Sequence, residues 1–526
     1  MSDQQRMLLA AVLMAVVLFV SWTLTDRGGD EGRGAPPARQ PGAEQPPADT
    51  TITVPASSPD TAMAVRDTIP EGAGEGSVTV MVMDSAGVDT LVSARLDMLG
   101  GGIGRWELHR FHNLTNGRGP RIDLGSRGML PVVRDGEMVP FACTGPDTLM
   151  VGAGSESLRL EGPGGGYREY TFHAGSYAFD VEQEGIPSGL RIPAGAVPVS
   201  EEGVNPGDYF RAVWRRAGDL EDEKSGDLEE ATEHDEVDWG GVKTKYFAIL
   251  IINTEEMDDI IFDPAEGLSP AATMTVDRAR VYAGPLGYER LQSLGIGAEH
   301  MVDFGWPIIR WIGRIIFWFI SVPLSFIGNW GVRIIILTAV LKTLLWPLTT
   351  KSFTSMQKMK EVQPKLKQLQ EKYKSDPKRQ QTEMQKLYKE EGVNPLGGCF
   401  PLLLQMPFFF AMYRVLYNMV ELRGADFILW IDDLSRPEII LPFGESVLGL
   451  EGIGLLALLM GVSMFIQQKM SVSDPSQKTM VYVMPIFMTW LFMRFPAGLT
   501  LYWFVNNLLT IGQQELIKKR LEKASG

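Results

Sequence analysis

Apolar residues in this 526-residue chain fall into two textures, long unbroken runs and short runs in which apolar and polar positions alternate. The first long run, 7–24 (MLLAAVLMAVVLFVSWTL), has about the length needed to span a hydrocarbon core. A cleaved signal peptide is the competing reading. The run is longer than a usual h-region and no A-x-A site follows, so a retained transmembrane anchor behind a short cytoplasmic N-terminus, 1–6, is expected. Residues 25–77, rich in Pro, Gly, Ala, Asp and Ser without apolar periodicity, predict a disordered linker. From 78 to 298 the alternating texture takes over, in SVTVMVMDS, SLRLEG, REYTFHAGSYAFDVEQEG and TKYFAILIIN, punctuated by Gly, Pro, Asn and Asp. This predicts an all-β sandwich long enough to bury its own core.

Long runs then return. Segment 304–326, FGWPIIRWIGRIIFWFISVPLSF, sets Arg310 and Arg314 one helical turn apart among Trp306, Trp311 and Trp318. A crossing helix would bury both guanidiniums, whereas a helix lying in the interface keeps them at the headgroups, so an amphipathic surface helix is predicted. Segment 329–350, NWGVRIIILTAVLKTLLWPLTT, is predicted to be the second transmembrane helix. In 351–391, Met356, Met359, Val362, Leu366, Leu369 and Tyr373 recur at three- and four-residue steps, KSDPK breaks the pattern, and Pro364 marks a kink or restart. A helical hairpin results. Four further transmembrane helices are predicted at 396–420 (interrupted by Pro401 and Pro407), 447–466, 479–493 and 499–514. Loops at 421–446 and 467–478 and a basic tail at 515–526 complete the chain.

The net charge of −15 is an average over two unlike bodies. Residues 1–305 carry 24 basic and 48 acidic side chains, a net of −24; residues 306–526 carry 25 and 16, a net of +9. Only the second half suits ribosome, nucleic acid or anionic lipid. Hairpin 351–391, with eleven basic and six acidic residues, and the tail IKKRLEKASG place themselves in the cytoplasm by the positive-inside rule. The acidic loop 421–446 then lies outside, which gives six spans with both termini inside and the β domain outside. Cys143 and Cys399 fall in different bodies, so neither a disulfide nor a C-x-x-C metal site is expected.

The candidate chemistry centres on Lys342, near the middle of an apolar segment. A charge there costs at least about 2.5–3.5 kcal/mol on insertion scales, so it needs a partner or a water-filled cavity. Snorkelling is the bland alternative, but Trp346, Pro347 and Leu348 still separate Lys342 from the basic end at Lys351. Thr338 lies one turn earlier on the same side. Tyr502, Asn506 and Gln513 form one stripe of the last helix, and Gln405 is a further polar position; each could equally be an interhelical hydrogen bond. The methionines crowding 460–493 suit ordinary packing as well as a surface that accepts many sequences. In the β domain, the run 221–238 (EDEKSGDLEEATEHDEVD) predicts a solvated, mobile loop rather than a metal site. His109, His112, His173 and His234 show no triad spacing and are expected at the surface.

Together the stretches VQPKLKQLQEKY, YKEEGVNPLGGCFPLLLQMPFFFAMYRVL, VELRGADFILWIDDLS and FPAGLTLYWFVNNLLTIGQQ, with VDFGW and GNWG before them, resemble the bacterial YidC insertases, relatives of the mitochondrial Oxa and chloroplast Alb proteins. The resemblance covers 301–520 in the family's order; the β domain is similar in placement and length to the periplasmic domain of Gram-negative members. It implies a polytopic α-helical membrane protein: an N-terminal anchor and a five-helix core with a periplasmic all-β sandwich, in the bacterial inner membrane. It also implies insertase and chaperone work without cofactor, metal, nucleotide, covalent chemistry or direct nucleic-acid function. Nascent membrane proteins, the Sec translocon, ribosome, targeting receptor and lipid bilayer are the partners it implies. The expected site is a hydrophilic groove holding Lys342, Thr338, Gln405, Tyr502, Asn506 and Gln513. Well-studied bacterial members carry arginine where this chain has Lys342; lysine, unlike arginine, can lose its charge in a dry site. Two rival readings are a secondary transporter, for which no internal repeat is found, and a periplasmic sugar-binding or sugar-modifying protein using His109, His112 and His173.

Overall fold

The computed structural model describes residues 73–112, 120–134, 137–186, 189–197, 209–254, 258–265, 269–393, 400–471 and 478–525. The expected anchor at 7–24 and most of the 25–77 linker lie outside these residues, as does Cys399; Cys143 is a free thiol.

Alternation of apolar and polar positions becomes strands β1 (Ser77–Met83), β2 (Thr90–Asp97), β3 (Ile103–His112), β4 (Arg121–Asp123), β5 (Val133–Arg134), β6 (Glu137–Met138), β7 (Thr148–Val151), β8 (Ser155–Glu161) and β9 (Tyr167–His173). Then come β10 (Ala178–Glu184), β11 (Leu190–Ile192), β12 (Arg211–Arg216), β13 (Asp219–Lys224), β14 (Thr232–Lys243), β15 (Phe247–Asn253), β16 (Asp258–Asp263), β17 (Ala271–Met274) and β18 (Arg278–Pro285). One sheet runs β4-β3-β2-β1-β7, with β7 parallel to β1; the other runs β11-β17-β16-β14-β15-β18-β10-β9-β8, with β12 on β14 and β13 on β12. Val78, Val80 and Val82 alternate inward in β1, as a sheet with one wet face requires, whereas Phe247 to Ile252 in β15 are all buried. Both sheets feed one apolar core, and the indole N–H of Trp106 on β3 crosses it to donate to the Ala283 carbonyl on β18 at 2.8 Å.

One expectation fails here. The acidic run 221–238 is not a loop: most of it lies in β13 and β14, Asp219–Lys224 pairing with Arg216–Arg211. The reason is that β13 has a partner on one side only. Charges on such an edge strand stay in water and also block pairing with other chains.

Nine helices are described: α1 (Tyr288–Ser293), α2 (Pro307–Ser321), α3 (Trp330–Leu344), α4 (Trp346–Lys372), α5 (Pro377–Glu390), α6 (Phe400–Asn418), α7 (Leu455–Ser471), α8 (Lys478–Phe492) and α9 (Ala497–Ser525). Helix α2 has the expected two faces, with Ile309, Ile316, Phe317 and Ile320 buried while Trp306, Arg310, Trp311, Arg314 and Trp318 are exposed. The apolar stripe predicted in 351–391 brings Met359, Val362 and Leu366 against Met384, Leu387 and Tyr388 of α5. Asp376 caps α5 by accepting from Arg379 N at 3.1 Å.

Four boundaries are corrected. The 329–350 segment is not one helix: it breaks between Leu344 and Trp346, and α3 and α4 meet at 64°. Pro347 is the cause, since proline in a first helical turn starts a new helix better than it continues an old one. Pro364 does not restart α4, which runs through it. Residues 447–453 belong to a hairpin of β19 (Leu441–Val447) and β20 (Leu450–Ile453), so the helix expected at 447–466 begins only at Leu455. The 515–526 tail is the continuation of α9 to Ser525. Among the described residues no single helix is long and apolar enough to cross a membrane; α3 and α4 meet that standard as a bent pair.

Apart from Pro163–Gly165, a short 3-10 turn, residues 70–526 group as one unit. Within it the end of α6 is joined to the β domain. Tyr417 Oη lies 2.7 Å from Tyr209 Oη, Lys245 Nζ sits 3.6 Å from the Tyr417 ring centroid, and Arg423 donates to the His112 carbonyl at 3.3 Å. Beside this seam, Glu421 lies so near Gly287 that a Cβ there would stand 3.3 Å from its Oε1. Burial, abetted by Glu289 and opposed by Arg290, pushes the Glu421 carboxyl up to about 7. A carboxyl raised in the folded state stabilises least above its folded value, so stability falls as pH rises from about 4.5 through about 7. Glu421→Gln is therefore expected to raise Tm at pH 8, by roughly 2–4 °C for each kcal/mol relieved, and leave it nearly unchanged at about pH 4, below the unfolded value. Equal shifts at both pH values in a thermal melt would refute this.

Candidate functional site

The site is built where α3 and α9 pack. Asn329 opens α3 by accepting from Val332 N at 3.1 Å and donates to the Phe427 carbonyl at 2.9 Å, which fixes the helix against the 425–434 loop. Gly331 makes that approach possible, since a Cβ there would fall 2.1 Å from the Phe427 ring. Three turns on, Lys342 is 9% exposed. Its Nζ donates to Thr510 Oγ1 at 2.6 Å and to Asn506 Oδ1 at 3.5 Å. Thr510 in turn donates to the Asn506 carbonyl at 2.6 Å, leaving its lone pairs to face the amine. Among the described residues no carboxylate pairs with Lys342. Its amine is held by neutral oxygens alone, so it can attract an incoming anion.

Lys342, Thr338, Thr349, Gln405, Tyr502 and Asn506 line a small half-open cleft, together with Leu341, Leu345 and Phe408. Five of the six expected groove residues thus meet around one space. Tyr502 and Gln405 both face this space. Thr338, though it lines the cleft, donates its hydroxyl proton to the Ile334 carbonyl at 2.6 Å. Gln513 lies beyond the cleft and has a different task. Its amide donates to Thr349 Oγ1 at 2.7 Å and, more weakly, to the Trp346 carbonyl at 3.4 Å, which secures the break between α3 and α4.

Sequence reasoning missed Thr510 and Thr349. Thr510 completes the stripe Tyr502, Asn506, Thr510, Gln513, so its i+4 spacing was the available signal. Arg333 was missed as well: it is buried, donates to the Ile327, Ile320 and Ser325 carbonyls at 2.6, 3.3 and 3.1 Å, and staples the α2–α3 connection.

The histidines do not converge. His109 and His112 lie on β3 in one sheet and His173 on β9 in the other. Burial and the Arg121 guanidinium, 3.0 Å away, hold the His109 imidazole below its usual value. His173 bridges Ser155 Oγ at 2.7 Å and Asp180 Oδ2 at 2.8 Å, an apparent hydroxyl–imidazole–carboxylate line. Yet Arg280 already binds both Asp180 oxygens, at 2.7 and 3.1 Å, and the line lies on partly exposed strands. His234 stacks on Trp214 at 3.9 Å between centroids.

Residues 322–524 match the family described as 60Kd inner membrane protein, and 141–319 match the YidC periplasmic domain. The membrane protein insertase YidC of Wolinella succinogenes is 36% identical over 391 residues, 72% of this chain and 68% of that protein. That of Janthinobacterium sp. is 33% identical over 477 residues, 82% and 83% respectively. A crystal structure of an active YidC insertase with its first transmembrane domain resolved aligns over 85% of this chain and 94% of that one, at 18% identity and a TM-score of 0.38. By the two long sequence matches and both family matches, this chain belongs to the YidC family of membrane protein insertases, with the family's periplasmic domain.

Proposed function

We propose that this chain inserts other membrane proteins into the bacterial inner membrane by lending their polar tails a groove with one positive charge. The observation that carries the reading is the Lys342 amine, buried among neutral oxygens at the edge of a half-open cleft. A polar, acidic tail is expensive to move through hydrocarbon; a watered cleft with a cation lowers that cost, and the apolar part of the substrate leaves sideways into lipid. In this reading the core is five spans, formed by α3 with the start of α4, then α6, α7, α8 and α9. The hairpin α4–α5 and the end of α9 lie in the cytoplasm, the β domain lies in the periplasm, and α2 rests in the outer interface. Lys360 Nζ donating to the Met470 carbonyl at 2.6 Å supports a hairpin seated on the cytoplasmic end of α7. The basic hairpin suits ribosome, targeting receptor and incoming chain; work with the Sec translocon follows from family membership alone.

The test is reconstitution. Vesicles containing the purified full-length chain should protect the translocated tail of a small single-span, acidic-tailed protein from external protease, several-fold above empty vesicles, without ATP or GTP. Equal protection in empty vesicles would overturn the proposal.

A further inference from the structure

Five non-glycine residues among those described have positive φ, and two of them are strongly exposed leucines: Leu429 (φ 60°, 83% exposed) and Leu448 (φ 52°, 78% exposed). Both fall between α6 and α7. Leu448 and Gly449 (φ 72°) form the tip of the β19–β20 hairpin, with Val447 paired to Leu450. Positive φ at both central residues is the signature of a type I′ turn, whose first position favours Asn, Asp or Gly. Leucine there is disfavoured by the backbone and, if the tip stands in water, by its exposed side chain as well. Leu429 repeats the combination in the FILW turn, where Phe427 beneath it packs on Gly331. Two turns that oppose local preference in the same way call for a surrounding that rewards leucine.

The neighbours identify that surrounding. Arg494 donates to the Leu448 carbonyl and lies 4.3 Å from the Trp490 ring centroid, a cation and an indole of the kind that gather at headgroup level. Exposed apolar side chains then continue from Leu441 onto α7 at Leu458, Val462 and Ile466, the face that lipid covers if α7 spans the membrane. We infer that the two leucine-tipped turns are lipid wedges: Leu448 and Leu429 dip into the outer leaflet at the boundary between headgroups and acyl chains. This inference rests on the topology proposed above, which places 421–453 outside.

The experiment uses the full chain with Cys143 and Cys399 replaced by serine, reconstituted in phosphatidylcholine–phosphatidylglycerol vesicles. A polarity-sensitive fluorophore is attached through Leu448→Cys, Leu429→Cys or, as the control for sidedness, Lys523→Cys. The expected result is that nitroxide lipids labelled near the headgroup quench the 448 and 429 probes more than lipids labelled near the chain end. That profile places them roughly 5–10 Å below the surface, while aqueous iodide does not reach them. Ready quenching by iodide overturns the wedge. So does shielding from both quenchers, which would put a protein, or a second copy of this chain, over the turns. Sidedness is read separately: if the 523 probe is reduced by dithionite from the same side as a probe at Gly444→Cys, the topology fails, whatever the lipid quenching says.

Discussion

Lys342→Ala should lower insertion of an acidic-tailed test protein on the order of tenfold or more, while Lys342→Arg keeps most of the activity. A carboxylate taken to the bilayer centre costs about 2.5–3.5 kcal/mol on insertion scales, and each 1.4 kcal/mol is a factor of about ten. One cation at the cleft that recovers half of that cost accounts for the expected loss. Lys342 is placed to do so because its hydrogen-bond partners, Thr510 Oγ1 and Asn506 Oδ1, are neutral. Arginine can donate to the same two oxygens and keeps its charge even where water is scarce. Two controls separate charge from shape. A test protein with a neutral tail should depend little on Lys342, and Thr510→Val, which keeps the amine but removes its nearest acceptor, should cost only a few-fold. The readout is protease protection in vesicles. Should alanine insert the acidic-tailed protein as well as lysine does, the working element is the polarity of the cleft and the cytoplasmic hairpin.

The candidate site is legible in the sequence because a lysine inside an apolar run violates the ordinary pattern, and such violations are where function is sought. The β domain was readable for the opposite reason. Its strands obey period-two alternation, as Val78, Val80 and Val82 do. What stayed hidden has particular causes. The break at Leu345 leaves no trace in hydropathy, since TLLWPL is apolar across it, and only Pro347 signals it. The tip and second strand of hairpin β19–β20 fall inside the apolar run 447–466, and its first strand inside the expected loop 421–446, although Gly449, Gly452 and Gly454 punctuate the run; close approach is the reason at Gly452, where a Cβ would lie 2.5 Å from the Leu441 carbonyl oxygen. The acidic run 221–238 reads as a loop because charge density is a statement about solvation, and an edge strand is solvated too. Arg333 is hard to single out because hydropathy alone reads an arginine at a helix start as an end marker, and its carbonyl partners lie at the end of α2 and in the turn after it, which only folding brings near.

The second large effect is expected far from the groove. Trp106→Ala should destabilise the β domain by about 3–5 kcal/mol, the range for emptying an aromatic site in a core. Trp106 is 1% exposed, its ring lies 4.9 Å from Phe179 and 6.4 Å from Phe172, and its N–H satisfies the Ala283 carbonyl in the opposite sheet. The substitution leaves a cavity between the sheets and an orphaned acceptor at once. For a domain of this size the first thermal transition of the full chain in detergent should fall by roughly 6–20 °C, at about 2–4 °C per kcal/mol. Trp106→Phe, which keeps most of the ring and loses the N–H, should fall by a smaller amount set by the unpaired carbonyl, about 1–3 kcal/mol. An unchanged transition in the alanine variant would mean that the sheets do not depend on this contact. The same variant also divides the molecule functionally. The cleft is built from α3, α4, α6 and α9, whereas Trp106 sits in the core between the two sheets, so insertion measured below the lowered transition should match the wild type if the groove works alone. Loss of insertion in step with the β-domain transition would instead make the Tyr209–Tyr417 and Lys245–Tyr417 seam the route by which the periplasmic domain holds the core in its working shape.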